Sequence, residues 1–521
     1  MLSQSANEQG KEEKGQEAQK DGREPPAIDQ SLWSERIKGI QVYAAGEQPR
    51  DKPLIKLNAN ENPFPPSPKV RSAVKRAMGK DGEGLGRYPD ADARELVEAI
   101  AQYHGVKTDE VFVGNGSDDV LAHAFFAFFN DGDAVVSPAV TYGFYPVWAA
   151  RCGLSYRKAA LKDDLSVDPD ALIDGEADGV VFANPNAQTG SLTPLGDVER
   201  IARANAGKIV IVDEAYIDFA GPGAGRGAPS APALEAASRE IDAQEETAEA
   251  EAKTADRGDA GKTAEIESGK EPAGQDGQDV GERKRLTDQS PAEEKTLALP
   301  GGDGRVLGAQ GAVPAKVSAS TALVPVSAET SLTAATLIGR CPNLLVVRTM
   351  SKSRALAGLR IGYALGNASL IEALRRSKDS FNTFPVSVAA QAAGVASLQD
   401  EQYFSFFCAK VMENRKHLTE SLESLGFKCW PSSANFVLCR HETVDSAALQ
   451  EGLKKEGVLV RRFPDDELLK DKLRITVGAS EQISDLEEAM DRLIKRKCGP
   501  VRNFFSAIAS FFGFGRKKRK K

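Results

Sequence analysis

Near its middle this 521-residue chain carries a stretch unsuited to any packed core, and the rest must fold around it. From residue 221 to 327 the composition turns to Ala, Gly, Glu, Asp, Lys, Pro and Ser with almost no aromatics, as in Glu245-Glu246-Thr247-Ala248-Glu249-Ala250-Glu251. Such a segment buries too little apolar surface to offset the entropy of ordering it, so we expect a disordered, low-complexity insertion. A compact fold accommodates an insertion this long only as a surface excursion between two adjacent elements. The apolar run Lys208-Ile209-Val210-Ile211-Val212 precedes it; a helical pattern over residues 331–338 and the run Leu344-Leu345-Val346-Val347-Arg348 follow it. With the insertion set aside, residues 35–220 and 328–497 have the length of a compact two-domain protein.

Composition removes several function classes. A formal net charge of −8 gives no reason to expect nucleic acid. The six cysteines, Cys152, Cys341, Cys408, Cys429, Cys439 and Cys498, are scattered with no CxxC pair. Neither a disulfide framework nor a metal site is indicated, and a reducing, cytoplasmic setting fits. His104, His123, His417 and His441 stand alone and read as surface or satisfied structural residues. Residues 1–34 lack the apolar core of a secretion signal and carry too many acids for a transit peptide, so they read as a disordered tail. In the closing segment, residues 498–521, an apolar aromatic run over 504–514 precedes Arg516-Lys517-Lys518-Arg519-Lys520-Lys521. That run is shorter than the roughly 20 residues that span a bilayer. Weak membrane-surface contact, nuclear targeting and a passive solvated tail stay open for it.

Chemistry concentrates in Thr349-Met350-Ser351-Lys352-Ser353-Arg354-Ala355-Leu356-Ala357-Gly358-Leu359-Arg360-Ile361-Gly362-Tyr363. A lysine among small and apolar residues is expected to have its pKa lowered by desolvation, leaving an amine that can attack a carbonyl. Ser351 and Arg360 suit a phosphate, the serine as donor and the arginine as a bidentate clamp. An aldehyde that carries a phosphate is pyridoxal 5′-phosphate. The alternative is a buried turn whose lysine snorkels to the surface.

Other segments bear on that choice. Ile55-Lys56-Leu57 runs into the loop Asn58-Ala59-Asn60-Glu61-Asn62-Pro63-Phe64-Pro65. Helical patterns cover residues 68–78 and 91–103, with Tyr88 in the loop between them. The strand Val111-Phe112-Val113 turns through Gly114-Asn115-Gly116-Ser117-Asp118-Asp119 into a helix over 120–129. Small residues there free backbone N–H groups at the positive end of the helix dipole, a second candidate phosphate seat. After the strand Ala134-Val135-Val136, Tyr142 can stack on a planar ring or on its own helix. The strand over 179–183 ends in Asn184-Pro185-Asn186-Ala187-Gln188-Thr189-Gly190, side-chain amides at the end of a strand, where α/β folds place ligands. Asp213 closes the run 208–212; a buried carboxylate is costly there unless it meets a positive partner such as a protonated pyridine nitrogen, or caps the next turn. Helical patterns over 388–398 and 404–425 lead to strands at 435–438, 458–461 and 473–478. Arg461 and Arg474 at strand ends can clamp an anion or be solvated.

Taken in order, the loop 58–65, Gly114-Asn115-Gly116-Ser117-Asp118, the loop 184–190, Val212-Asp213-Glu214-Ala215-Tyr216 and the Lys352 loop through Arg360 resemble the motifs of the fold-type-I pyridoxal-phosphate aminotransferases. The likeness is closest to the histidinol-phosphate aminotransferase family and covers residues 36–496 apart from the insertion. It implies an α/β fold, with a large domain (86–220 and 328–372) built on a mostly parallel central sheet with helices on both faces. It further implies a smaller C-terminal α/β domain (373–497) on which residues 35–85 pack. By the same resemblance the cofactor is pyridoxal 5′-phosphate, held covalently by Lys352, which also moves the substrate proton. Asp213 keeps the pyridine nitrogen protonated, making the ring an electron sink. Asn186 and Tyr216 hydrogen-bond the ring oxygen O3′, and Tyr142 stacks on the ring. Gly116, Ser117, Asp118, Ser351 and Arg360 hold the phosphate, and Tyr88 reaches it from the second subunit of a homodimer. Tyr43, Arg461 and Arg474 meet the anionic end of the substrate, with Asn60 in the same pocket. Arg474 also takes the α-carboxylate of L-glutamate, oriented by Asn435.

Two departures from the family pattern bear on loop geometry and substrate fit: Gln188 stands where proline is usual, and Val42 where proline commonly precedes the tyrosine. The long insertion is also foreign to it. The expected reaction is amino transfer from L-glutamate to imidazole-acetol phosphate, giving L-histidinol phosphate and 2-oxoglutarate, a step of histidine biosynthesis. An aromatic amino acid aminotransferase and a threonine-phosphate decarboxylase share nearly all these residues. The non-enzyme alternative is a catalytically silent interaction protein, against which the joint presence of Lys352, Asp213 and Arg360 argues.

Overall fold

A computed structural model describes residues 30–41, 46–47, 54–173, 175–226 and 331–498. Tyr43, residues 1–29, nearly all of the expected insertion and the apolar-basic segment 499–521 lie outside the described residues.

After β1 (Ile55–Leu57), seven strands form the larger sheet: β2 (Val111–Gly114), β3 (Ala134–Pro138), β4 (Ser155–Ala159), β5 (Gly179–Ala183), β6 (Ile209–Asp213), β7 (Leu344–Thr349) and β8 (Gly362–Gly366). Their order is β2-β8-β7-β6-β5-β3-β4. The pairs from β4 through β7 are parallel, and β8 runs antiparallel to both β7 and β2. The insertion therefore interrupts two strands that are direct neighbours, with Val210 opposite Leu344 and Asp213 opposite Val347. Its described flanks also meet: Leu332 N donates to Ala224 O at 3.1 Å.

Unbroken apolar runs in β5, β6 and β7 follow from cover on both faces of a parallel sheet. Val180, Phe182, Val210, Val212, Leu344 and Val346 point to one side, against Leu96, Ile100, Val198, Ile201 and Ala393. Val181, Ile209, Ile211, Leu345 and Val347 point to the other, against Val120, Leu121, Phe125, Trp148, Ile371 and Leu374. Each such side chain contributes about 1.5–3 kcal/mol when fully buried. The second sheet holds β1, β9 (Phe427–Cys429), β10 (Phe436–His441), β11 (Val458–Arg462) and β12 (Leu473–Thr476), in the order β1-β11-β12-β10-β9. Val411, Leu418, Leu449, Leu453, Leu486 and Met490 from the helices Glu401–Ser424, Ser446–Lys455 and Ser480–Cys498 cover it. The expected α/β architecture is what the chain adopts.

Some elements differ from the sequence reading. β8 escapes notice because Gly362-Tyr363-Ala364-Leu365-Gly366 is poor in β-branched residues, yet it is buried throughout. The edge strand β4 lacks an apolar run. The helix expected over 331–338 is one 3₁₀ turn, Ala334–Leu337. The expected division at 372/373 falls within the helix Ala368–Asp379, whose Ile371 and Leu374 face the larger sheet. Among the described residues no helix is long and apolar enough to cross a membrane.

Candidate active site

Parallel strands bring their carboxyl ends to one edge, so the segments after β5, β6 and β7 converge there. Asp213, the last residue of β6, is 4 % exposed. Its Oδ2 accepts from the Tyr145 hydroxyl at 3.0 Å, and its Oδ1 from Ala215 N at 3.2 Å. Burial nevertheless pushes its pKa up to about 6. Tyr145 is fully buried, and burial together with the Asp213 charge drives its own pKa well up, so its proton stays on to donate. Sequence reasoning missed Tyr145, since an aromatic opening a short helix reads as core.

Lys352 is half-buried, and its Nζ donates to Ala59 O at 3.2 Å and lies 6.0 Å from the centre of the Tyr216 ring. The loop after β1 grips it: Asn62 Nδ2 donates to the carbonyls of Lys352 and Ser353 at 2.9 and 3.1 Å. In the same loop Asn60, at φ 54, donates from Nδ2 to the Tyr216 hydroxyl at 3.0 Å. Asparagine is among the few residues at ease in that left-handed region. Asn435 Nδ2 donates to Asn60 O at 3.0 Å, and Asn60 N to Thr476 Oγ1 at 2.9 Å, tying this loop to the smaller sheet. Asn62 and Thr476 carried no sequence signal beyond their residue types.

The two candidate phosphate segments are one place. Arg360 donates from Nη1 to Ser351 Oγ at 3.2 Å and from Nη2 to Asp118 Oδ2 at 3.1 Å, while the Tyr142 hydroxyl donates to Asp118 Oδ1 at 2.8 Å. Gly116 caps the helix Ser117–Phe128 at φ +90, and a Cβ there would sit 2.5 Å from Arg360 Nη2. A Cβ on Gly362 would fall 2.2 Å from Ser117 N. Two glycines thus keep side chains out of a cradle lined by first-turn N–H groups and a guanidinium.

Asn186 is fully buried; its Oδ1 accepts from Gln188 N and Thr189 N at 3.0 and 3.1 Å, and its Nδ2 donates to Val140 O at 2.8 Å. Arg461 and Arg474 are paired across β11 and β12 and flank the Phe463 ring at 5.5 and 5.3 Å. Arg474 Nη1 donates to Ala187 O at 3.0 Å and to Gln188 Oε1 at 2.6 Å. Tyr88 stands apart: it is 82 % exposed, its ring stacks on Phe384 at 4.6 Å, and no hydrogen bond joins it to the Lys352 cluster among the described residues. No cluster suited to a metal ion occurs among the described residues.

A buried ionic group beneath the lysine loop went unread in the sequence. Arg348 donates to Asp218 Oδ1 at 2.6 Å and to Gly225 O at 2.8 Å, and lies 3.4 Å from Glu214 Oε2. Ser353 Oγ donates to Asp218 Oδ2 at 2.5 Å, and Glu214 accepts from Thr333 Oγ1 and Ala334 N. Burial raises the Glu214 pKa to about 7 against the pull of Arg348. The neighbours of Asp213 and Lys352 in the chain are thereby joined through one arginine.

These residues fit pyridoxal phosphate: a phosphate cradle that a Cβ would fill, a buried carboxylate suited to a cationic partner, and a half-buried lysine at the same edge of the sheet.

Known proteins agree. The family described as aminotransferase class I and II matches residues 52–242 and 318–493. The chain is 35% identical to histidinol-phosphate aminotransferase 2 of Dechloromonas aromatica, over 89% of this chain and 99% of that protein. It is 36% identical to histidinol-phosphate aminotransferase 2 of Burkholderia lata, with the same shares. Among solved structures, histidinol-phosphate aminotransferase from Sinorhizobium meliloti, in complex with pyridoxal-5′-phosphate, shares the fold with a TM-score of 0.62 at 20% identity, over 90% of this chain and 99% of that one. The chain belongs to the class I and II aminotransferase family.

Proposed function

We propose that this enzyme uses pyridoxal 5′-phosphate to move an amino group between L-glutamate and imidazole-acetol phosphate, giving L-histidinol phosphate and 2-oxoglutarate. The observation that carries the reading is the meeting at one sheet edge of Lys352, buried Asp213 and the Gly116–Arg360 cradle, with Arg461 and Arg474 on the adjoining sheet. Bound there, the cofactor supplies an electron sink that makes the substrate Cα–H acidic.

The chain's own groups do the rest. Lys352 Nζ would carry the proton between the substrate Cα and the cofactor carbon C4′, held in place by the Ala59 carbonyl and the Asn62 grip on its backbone. Asp213 stabilises a protonated pyridine nitrogen, and Tyr145 orients its carboxylate. Tyr216, held by Asn60, and Asn186, held by Val140 O, would bond the ring oxygen O3′. Ser351, Arg360 and the first N–H groups of the helix Ser117–Phe128 bind the phosphate, and Tyr142 flanks the ring. Arg474 and Arg461 draw in the substrate's anionic groups, with Asn435, bonded to Asn60 O, beside them. The exposure of Tyr88 supports a homodimer in which it reaches the partner's phosphate seat, and the absence of paired cysteine motifs supports a cytoplasmic setting.

A steady-state comparison tests the reading. With 2-oxoglutarate as acceptor, kcat/KM is expected to be higher for L-histidinol phosphate than for L-phenylalanine, with no carbon dioxide released from L-threonine phosphate. A higher value for phenylalanine, or decarboxylation, moves the assignment to that activity.

A further inference from the structure

Gln188 stands where the family resemblance leads one to expect proline, and it does two things that a proline cannot. Its backbone N–H donates to Asn186 Oδ1 at 3.0 Å, and its side-chain oxygen accepts from Arg474 Nη1 at 2.6 Å. Arginine has no acceptor, so it is the amide oxygen that must face it. The second partner of Nη1 is also a neutral oxygen, Ala187 O at 3.0 Å, so both hydrogens on that nitrogen are spent on the loop 184–190. The loop in turn is fixed to the smaller sheet by Ser433 N donating to Gly190 O at 2.8 Å. Gln188 and Arg474 are 8 % and 9 % exposed, and the guanidinium lies 5.1 Å from the Phe436 ring and 5.3 Å from the Phe463 ring.

We propose that Gln188 is a positioning residue for substrate recognition: its amide oxygen holds the Arg474 guanidinium to the cofactor loop and so sets the plane in which it meets the substrate carboxylate. This rests on Arg474 as the carboxylate-binding residue. Planar bidentate recognition of a carboxylate needs a guanidinium fixed in its plane, and two acceptors on Nη1 between two aromatic rings fix it. The neutrality of the holder matters equally. A carboxylate at 188 would satisfy the arginine's charge and compete with the substrate, whereas an amide leaves that charge for the ligand. Because the backbone N–H of Gln188 is bonded to Asn186, the carboxylate site and the cofactor loop share one rigid turn.

The test uses the cofactor-loaded enzyme and two readouts for 2-oxoglutarate: its dissociation constant by calorimetry, and its KM and kcat with L-histidinol phosphate. Gln188→Leu is expected to raise the dissociation constant and KM about tenfold, the worth of one charge-assisted hydrogen bond, while kcat stays within about twofold. The visible absorbance of the bound cofactor stays unchanged. Gln188→Asn, polar but too short to reach Nη1, is expected to weaken binding likewise, and Gln188→Glu to weaken it further. Arg474→Lys weakens binding by itself, and adding Gln188→Leu to it changes the dissociation constant by less than about twofold, because the holder acts only through what it holds. Unchanged binding in Gln188→Leu beside a clear loss in Arg474→Lys overturns this inference alone. Unchanged binding in Arg474→Lys overturns it together with the carboxylate reading of Arg474.

Discussion

A carboxylate at the end of a buried strand is tolerated only with a partner, and Asp213 accepts from the Tyr145 phenol and from a backbone N–H. Removing the phenol takes away a hydrogen bond that favours the ionised form. Tyr145→Phe is therefore expected to push the Asp213 pKa higher still, to weaken cofactor binding, and to reduce kcat about tenfold. Cofactor titration and steady-state rates check this, and wild-type values for both would make Tyr145 a bystander. Lys352→Ala leaves no amine for covalent attachment and is expected to reduce turnover by several orders of magnitude; near-normal turnover in that variant would remove the proposed mechanism. At this scale the sequence was readable where residue type is itself rare in context: a lysine among apolar residues, an aspartate ending an apolar strand. Tyr145 and Asn62 were not readable. A buried tyrosine and a loop asparagine have ordinary structural explanations, and only the folded distances give them a role.

Among the elements, the phosphate cradle depends on two glycines whose missing Cβ atoms make room for Arg360 and for the N-terminus of the helix Ser117–Phe128. Gly116→Ala sets a Cβ against Arg360 Nη2 at a φ of +90 and is expected to weaken phosphate binding more than tenfold in a cofactor titration, by loss of at least one charge-assisted bond. An unchanged affinity would mean that the phosphate sits elsewhere. The ionic group under the lysine loop carries a pH signature. Burial raises Glu214 from 4.5 to about 7, so its contribution to the stability of the cofactor-free protein is full below about pH 4.5 and is lost as pH rises through about 7. Glu214→Gln, which binds no proton, is expected to flatten that decline in urea melts taken between pH 4.5 and 8. A variant with the wild-type slope would mean that Glu214 is ionised throughout. One phosphate segment was visible in the sequence because glycines mark a strand-to-helix turn, the other because Ser351 and Arg360 accompany Lys352. Their union was not, since residues 116 and 360 meet only because β8 returns antiparallel beside β2.

For the whole molecule, the low-complexity stretch required its flanking strands to be neighbours, and β6 beside β7 meets that requirement. The larger sheet was legible through runs that are apolar on both faces. Strand order and the antiparallel β8 were not, because topology is set by packing between distant segments. The homodimer with shared sites proposed above gives a prediction that no single-chain account makes. A Lys352→Ala subunit and a Tyr88→Ala subunit are each expected to be nearly inactive alone. Unfolded together and refolded as a mixture, they should regain activity, because the mixed dimer holds one site with both residues intact. Refolded mixtures as inactive as the separate variants would place Tyr88 outside the site.

The most direct test of the central claim is the visible absorbance of the purified protein with pyridoxal phosphate, before and after separate additions of L-histidinol phosphate, L-phenylalanine and L-threonine phosphate. The account predicts a band from cofactor bound at Lys352, absent in Lys352→Ala, that histidinol phosphate discharges at the lowest concentration of the three. A protein that shows no such band, or whose band yields first to phenylalanine or threonine phosphate, would contradict it.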